Sequence, residues 1–396
     1  MAIDFQQIVC KIREIGKGAQ AHQKILEKQR QDAFGLLKAH ANDLDLIKMK
    51  VKRVVEAYDP NLRCALPANE QMDSHIPVPG VPMAATLIAI DGSQIVPDRH
   101  AGMIYGLVNI GAIVMRIGSG EAPQVFTTSD LLYEDELRSN EGVFLNEGGI
   151  ALRRDAEERA RLLELAAQYP PPVVALTDGP VELWGAKDPE NSSSYRRYLQ
   201  KYLEDLKKLE KLNITLAGYV DKPAAELAIR LLEVTIAADD DLKNIKEYHR
   251  LRGVSDRWLF GNLLRPGERS AIFALQSSST RSYKGQSAIH FFYLNVGSPR
   301  RAAISRIEIP QWVVEDTDKL NLLHATLIQQ NRLLGAKPYP YILQRAHETA
   351  KVSNDDREQV ELMLSLELRN QGLDIEGVSG KQSIKDYSEN KKRYGR

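Results

Sequence analysis

A chain of 396 residues with 43% apolar content can build a substantial core, and its length suits two or three domains or one elaborated α/β domain. That balance excludes a peptide-sized binder and a disordered regulator. Lys plus Arg equals Asp plus Glu at 53 each, so the global charge neither requires nor excludes a nucleic-acid partner, for which a local stripe of cations suffices.

From Phe5 to about Tyr58 the sequence is charged, free of proline and periodic in its apolar residues (Ile8, Ile12, Ile15; then Phe34, Leu37, Leu44, Ile47, Val51, Val54, Val55), which predicts two or three amphipathic helices. Gly16 and Gly18 mark a candidate break between the first two. Five prolines between Pro60 and Pro82 predict an irregular connector. Ala84 to Ile90 then reads as a strand, Met103 to Ile117 as one or two more with glycine turns, and Gln124 to Phe126 as a third. A long helix follows from Ile150 to Gln168. The short apolar run Val173 to Leu176, bounded by prolines and Gly179, reads as a buried central strand. Helix Tyr195 to Leu212, strand Ile214 to Tyr219 and helix Ala224 to Ala238 come next, then a loop-rich stretch from Asp239 to Glu268. Ser270 to Leu275, His290 to Asn295 and Ala303 to Glu308 are strand candidates, and Asp318 to Asn331 and Asp355 to Gln371 are helices. The order is that of a mixed α/β fold, divided as an N-terminal helical segment with connector (1–80), a main domain (81–375) and a basic polar tail (376–396).

Cys10 and Cys64 have no zinc or disulfide spacing, which fits a reducing compartment. The opening MAIDFQQIVCKIREIG carries charges where a signal peptide has its apolar core, and no stretch reaches the roughly 20 apolar residues that cross a bilayer. The expectation is a soluble, cytoplasmic protein.

Two stretches, Ile88-Ala89-Ile90-Asp91-Gly92-Ser93 and Val173-Val174-Ala175-Leu176-Thr177-Asp178-Gly179-Pro180, each run an apolar strand into Asp-Gly. Each alone predicts a turn. Together they deliver two carboxylates at strand ends, a way to hold a divalent metal over a phosphate. The helix from Ile150 adds Arg153, Arg154, Asp155, Glu157 and Glu158, with Glu158 close to the edge of the packed stripe of Ala156, Ala160, Leu163 and Ala167; a solvated charged face is the plain alternative. Tyr339-Pro340-Tyr341 leads into a helical stretch with Arg345, His347 and Glu348. A histidine there could ligate a metal, position a water, hold phosphate or simply lie on the surface, and spacing does not choose.

The ordered series IAIDGS, LTDGP, AGYVDKP (Ala217 to Pro223), LLRPGERSAIF (Leu263 to Phe273), RIEIPQWV (Arg306 to Val313) and YPYILQRAHETA (Tyr339 to Ala350) resembles the NurA-domain nucleases of DNA end processing, from Leu87 to about Met363. The resemblance implies an RNase H-like mixed sheet with flanking helices and a manganese-dependent deoxyribonuclease, with Mg²⁺ as the alternative ion. It also implies 5'-3' exonuclease and single-strand endonuclease activities, a HerA-type hexameric ATPase as partner, and a homodimer around a DNA channel. Carried over position by position, the metal-binding acids match Asp91, Glu158 and Asp178, with Glu157 as the alternative register for the helical acid. The tyrosine and histidine match Tyr339 and His347, the latter a further metal ligand or proton-transfer group.

That chemistry suits these residue types. Phosphodiester hydrolysis needs an activated water and neutralised charge on the phosphate oxygens, which one or two divalent ions supply within a carboxylate cage. Imidazole is a poorer partner for Mg²⁺ than for Mn²⁺. Tyr339, with an ordinary pKa of about 10, suits orientation or phosphate contact better than base catalysis. Candidate DNA contacts are Arg269, Lys284 in the polar run Gln276 to Lys284, and Arg345, all suited to backbone contact without base reading. A catalytically inactive DNA-end-binding or ATPase-docking subunit is the alternative. A phosphatase lacks its Asp-x-Asp pair here, and no phosphate-binding loop for ATP is present.

Overall fold

The structure is a computed structural model that describes residues 4–80, 84–98, 103–138, 142, 144–183, 192–335 and 337–372. In chain order its elements begin α1 (Phe5–Ala39), α2 (Leu44–Ala57), β1 (Cys64–Pro67), β2 (His75–Ile76), β3 (Ala85–Ile95), β4 (Tyr105–Ile117), β5 (Gln124–Tyr133), α3 (Glu147–Ala166), β6 (Val173–Asp178) and α4 (Ser192–Lys211). They continue β7 (Thr215–Val220), α5 (Leu227–Ile236), α6 (Asp256–Leu263), β8 (Arg269–Ser270), β9 (Phe273–Gln276), β10 (Ile289–Asn295), β11 (Ile304–Pro310), α7 (Gln311–Val314), α8 (Thr317–Leu333), α9 (Tyr341–Ala350) and α10 (Asn354–Asn370). The described residues form two compact units, one drawn from positions 4–80, 179–181 and 216–340, the other from positions 84–178, 182–215 and 341–372. The predicted basic tail, 376–396, lies outside the described residues. Among those described, no helix is long and apolar enough to cross a membrane.

In the second unit, β3 pairs antiparallel with β4 along its whole length, from Ala85 opposite Ile117 to Ile95 opposite Leu107. β4 pairs antiparallel with β5, and β6 lies parallel on the other side of β3, from Thr86 beside Val173 to Ile90 beside Thr177. The mixed order β6-β3-β4-β5 follows from the sequence. Leu87 to Ile90 and Val173 to Leu176 are unbroken apolar runs with no exposed surface, the pattern of strands covered on both faces. Helices α3 and α9 each pack on β3 and β4, giving a mixed sheet with flanking helices of the RNase H-like kind. The glycines of Tyr105–Ile117 make no turns; one thirteen-residue strand runs through them.

In the first unit the strands run β1-β9-β10-β11-β7, all antiparallel, with β8 bridging β10 and β2. Its core is aromatic: Phe260 stacks on Tyr293 at 4.2 Å, and Phe273 on Phe291 at 5.8 Å. Three expectations fail here. The proline-rich connector contains β1, because Cys64 and Ala65 are apolar enough to be fully buried and Pro67 needs to donate no hydrogen bond at the strand's end. The N-terminal segment does not break at Gly16 and Gly18. A single 35-residue helix starts at Asp4, whose side chain accepts from the backbone of Gln6 and Gln7. Each glycine costs only about 1 kcal/mol in a helix, too little to stop one. The stretch expected to be loop-rich also holds α6, capped by the Ser255 hydroxyl.

Candidate active site

Asp91 does not end its strand. The ladder continues through Gly92 opposite Ile110 and Ser93 opposite Asn109, so the predicted turn is absent and Gly92 serves another purpose. Asp178 does end β6, where Gly179 turns the chain at φ +91°. Ile90 and Thr177 are the last paired residues of β3 and β6, so Asp91 and Asp178 are the next positions on adjacent parallel strands, which run about 4.8 Å apart, and they leave the same face of the sheet.

That face receives α9. Gly111, opposite Asp91, lets the helix backbone come so close that a Cβ there would lie 2.4 Å from the Ala350 nitrogen. The end of α9 is pinned by its Ala350 carbonyl, which accepts from Ser93 Oγ at 2.5 Å and Asn109 Nδ2 at 2.7 Å. The helix thereby sets His347 Nδ1 2.7 Å from Asp91 Oδ2. A carboxylate only accepts, so in the neutral ring Nδ1 holds the proton and Nε2 keeps its lone pair. The ring is 56% exposed and Asp91 16%, so the free edge of the imidazole faces the accessible side.

Helix α3 meets β3 at Gly92, one residue beyond Asp91 and therefore from the opposite face. A Cβ on Gly92 would stand 2.6 Å from Glu158 Oε1 and 2.7 Å from Arg154 Cγ, so the glycine is what lets the helical carboxylate reach the strand. Arg154 contacts Asp155 at 2.6 Å and Glu158 at 3.3 Å. Glu158 is 12% exposed. Burial raises its pKa well above the ordinary range, and the charges of Asp155 and Asp91 add to the rise while Arg154 opposes it. Burial also raises Asp155 against the pull of Arg154. Glu157 instead accepts from Arg153 Nε at 2.8 Å, and Arg153 also holds Asp130 on β5 at 2.6 Å.

The predicted DNA contacts fare unequally. Arg269 is 5% exposed and makes a two-pronged ion pair with Glu70, 2.9 Å on each arm, while also donating to the Ser270 carbonyl. It braces the first unit and is not available to a phosphate, because both arms of its guanidinium are already bound to a carboxylate within the fold. Lys284 is exposed, and Arg345 is exposed and pairs with Glu348 at 2.5 Å. Tyr339 belongs to the first unit, packed edge-on against Tyr219 at 5.5 Å.

Asp91, Asp178 and His347 thus share one face of the sheet and Glu158 approaches from the other. Among the described residues no three His, Cys, Asp or Glu side chains stand together as a ready metal cage. The donor chemistry nevertheless fits a hard divalent cation, since carboxylate oxygens and one imidazole nitrogen are what such ions take. The sequence reading names Arg154 and Asp155 on this helix but assigns them no role, although their spacing, four and three residues before Glu158, puts all three on one helical face.

A mixed sheet with flanking helices, bearing acids on β3, β6 and the intervening helix α3, is a fold of the RNase H-like class. A model of the NurA domain matches residues 85–352, and the chain belongs to the NurA-domain family, a family of nucleases. No curated protein sequence matches it. The crystal structure of the NurA nuclease from Sulfolobus solfataricus is similar at a TM-score of 0.50 and 14% identity, covering 93% of this chain and 98% of that one. A NurA crystal structure with manganese gives 0.38 at 12% identity, covering 88% and 98%. The catalytic domain of human endonuclease V gives 0.29 at 17% identity, covering 82% and 98%.

Proposed function

We propose that the chain is a divalent-metal-dependent DNA nuclease in which Asp91, Glu158, Asp178 and His347 hold the ion. The observation that carries this reading is the pairing of His347 with Asp91, beside Asp178 on the adjacent parallel strand, within the family-matched region. When bound, the ion supplies a water of lowered pKa and neutralises charge on the scissile phosphate. Asp91 orients the His347 ring and selects the neutral tautomer in which Nε2 carries the lone pair, so this nitrogen either completes the ligand set or takes a proton from the attacking water. Ionised Asp178 contributes anionic oxygen from the exposed end of β6. Glu158 must shed its proton to join them, because burial favours its neutral form. Lys284 and Arg345 contact the DNA backbone without reading bases. Tyr339 acts through its hydroxyl as an orienting or phosphate-contacting group.

Family membership supports the finer terms of the reading: manganese as the preferred ion, 5'-3' exonuclease and single-strand endonuclease action, a homodimer, a HerA-type ATPase partner and a cytoplasmic setting. The test is cleavage of end-labelled DNA by the purified protein with Mn²⁺, Mg²⁺ or EDTA. Metal-dependent cutting that is lost in Asp91→Asn supports the site; full activity in that variant removes Asp91 from it.

A further inference from the structure

Arg154 occupies an unusual place for a helical arginine. Its stem lies on the bare backbone of β3, with Cγ and Cδ 2.7 and 3.0 Å from where a Cβ on Gly92 would be. Its head donates to Asp155 Oδ1 through both Nη2, at 2.6 Å, and Nε, at 3.1 Å, and Nε lies 3.3 Å from Glu158 Oε1. The charge of Asp91 acts on it as well. Of the neighbouring arginines, Arg153 pairs with Glu157 and Asp130, while Arg159 donates to the Tyr202 hydroxyl and acts on Glu158 and Asp155 through its charge, without a direct ion pair to either among the described residues. Arg154 is thus the guanidinium that directly contacts Glu158, and with its side chain 28% exposed it has an open path toward solvent.

We infer that Arg154 is a built-in counter-ion of Glu158, and that a divalent ion loads by displacing its guanidinium from that carboxylate. The inference rests on the metal-binding reading of Asp91, Glu158 and Asp178. The two cations compete for the same oxygen. The guanidinium lies 3.3 Å from the Glu158 oxygen that a metal must take, and a doubly charged ion repels it at a separation of a few ångströms. The arginine stabilises the empty protein at the expense of metal affinity, and sets the metal concentration at which the site fills.

The experiment is calorimetric titration of the intact, metal-stripped chain with MnCl₂ alone, without DNA. Arg154→Met keeps the apolar stem over Gly92 and removes the charge; Arg154→Gln serves if the first variant does not fold. The expected result is Mn²⁺ binding roughly tenfold tighter than in the wild type, the worth of about one close ion pair released from competition, together with a lower melting temperature in EDTA. If the wild type binds Mn²⁺ and the variants bind it equally or more weakly, the competition is overturned while the metal reading stands. If neither the wild type nor the variants bind Mn²⁺, both fall. Binding gained only in the variants supports the competition in its strongest form.

Discussion

Gly111→Ala probes how the fold positions His347 without touching any group in the chemistry. A Cβ at 111 would stand 2.4 Å from Ala350 N, 2.8 Å from Thr349 C and 2.9 Å from Ala346 O, all backbone atoms of α9 that no rotamer change can relieve. Ordinary contact begins at 3.4 Å, so the helix must retreat by about 1 Å, the difference between 3.4 and 2.4 Å. Carried over to His347, that retreat stretches its 2.7 Å bond to Asp91 to roughly 3.7 Å, past the hydrogen-bond limit. It also strains the two bonds that pin the Ala350 carbonyl. Overpacking of this kind costs about 1–3 kcal/mol, a few degrees of melting temperature. An ångström of misplacement lowers a catalytic rate roughly a hundredfold. Thermal melts and single-turnover cleavage of labelled DNA measure both, with Gly35→Ala as the control because nothing lies within 4 Å of its new methyl. A Gly111→Ala protein that melts and cuts like the wild type would refute the argument that the α9–β4 approach sets the site.

The control carries its own prediction: Gly35→Ala, one turn before the end of α1, should stabilise the protein by about 0.5–1 kcal/mol, read by urea denaturation. Arg269→Ala should destabilise by about 2 kcal/mol, because it removes a half-buried, two-armed ion pair with Glu70; Lys284→Ala should leave stability unchanged and weaken DNA binding in a filter assay. The raised pKa of Glu158 predicts a pH effect. The folded protein holds this proton above the ordinary value of 4.5 where the unfolded chain has released it. Its contribution to stability therefore falls as pH rises from about 4.5 through the folded pKa, and Glu158→Gln should remove that part of the slope in metal-free denaturation curves measured at several pH values. A slope unchanged in the variant would assign the effect to other groups.

The strands of the second unit were readable because Leu87 to Ile90 and Val173 to Leu176 are short, unbroken apolar runs, and few structures other than a doubly covered strand accommodate them. Asp178 at a strand end was readable for the same reason: Gly179 follows it and takes a positive φ. Gly92 misled, because an Asp-Gly pair signals a turn locally, whereas this glycine is set by a side chain from a helix some sixty residues away. Gly111 left no local signal at all, since the backbone it accommodates belongs to α9. The pairing of Arg269 with Glu70 joins residues 199 apart, and nothing in the sequence near Arg269 distinguishes a brace from a phosphate contact. Long-range contacts decided each of these positions, and periodicity reports only on neighbours. The roles of Asp155 and Arg154 were within reach, because helical spacing alone aligns them with Glu158.

The central claim, that acids from β3, β6 and α3 with a histidine from α9 make this chain a metal-dependent nuclease, is tested most directly by one experiment. End-labelled linear single- and double-stranded DNA is incubated with purified protein in Mn²⁺, Mg²⁺ or EDTA, beside an Asp178→Asn variant whose circular dichroism and melting match the wild type. The account predicts degradation that requires the metal and vanishes in the variant. Cutting that survives EDTA or Asp178→Asn, or no cutting under any condition even with a HerA-type ATPase present, would contradict it.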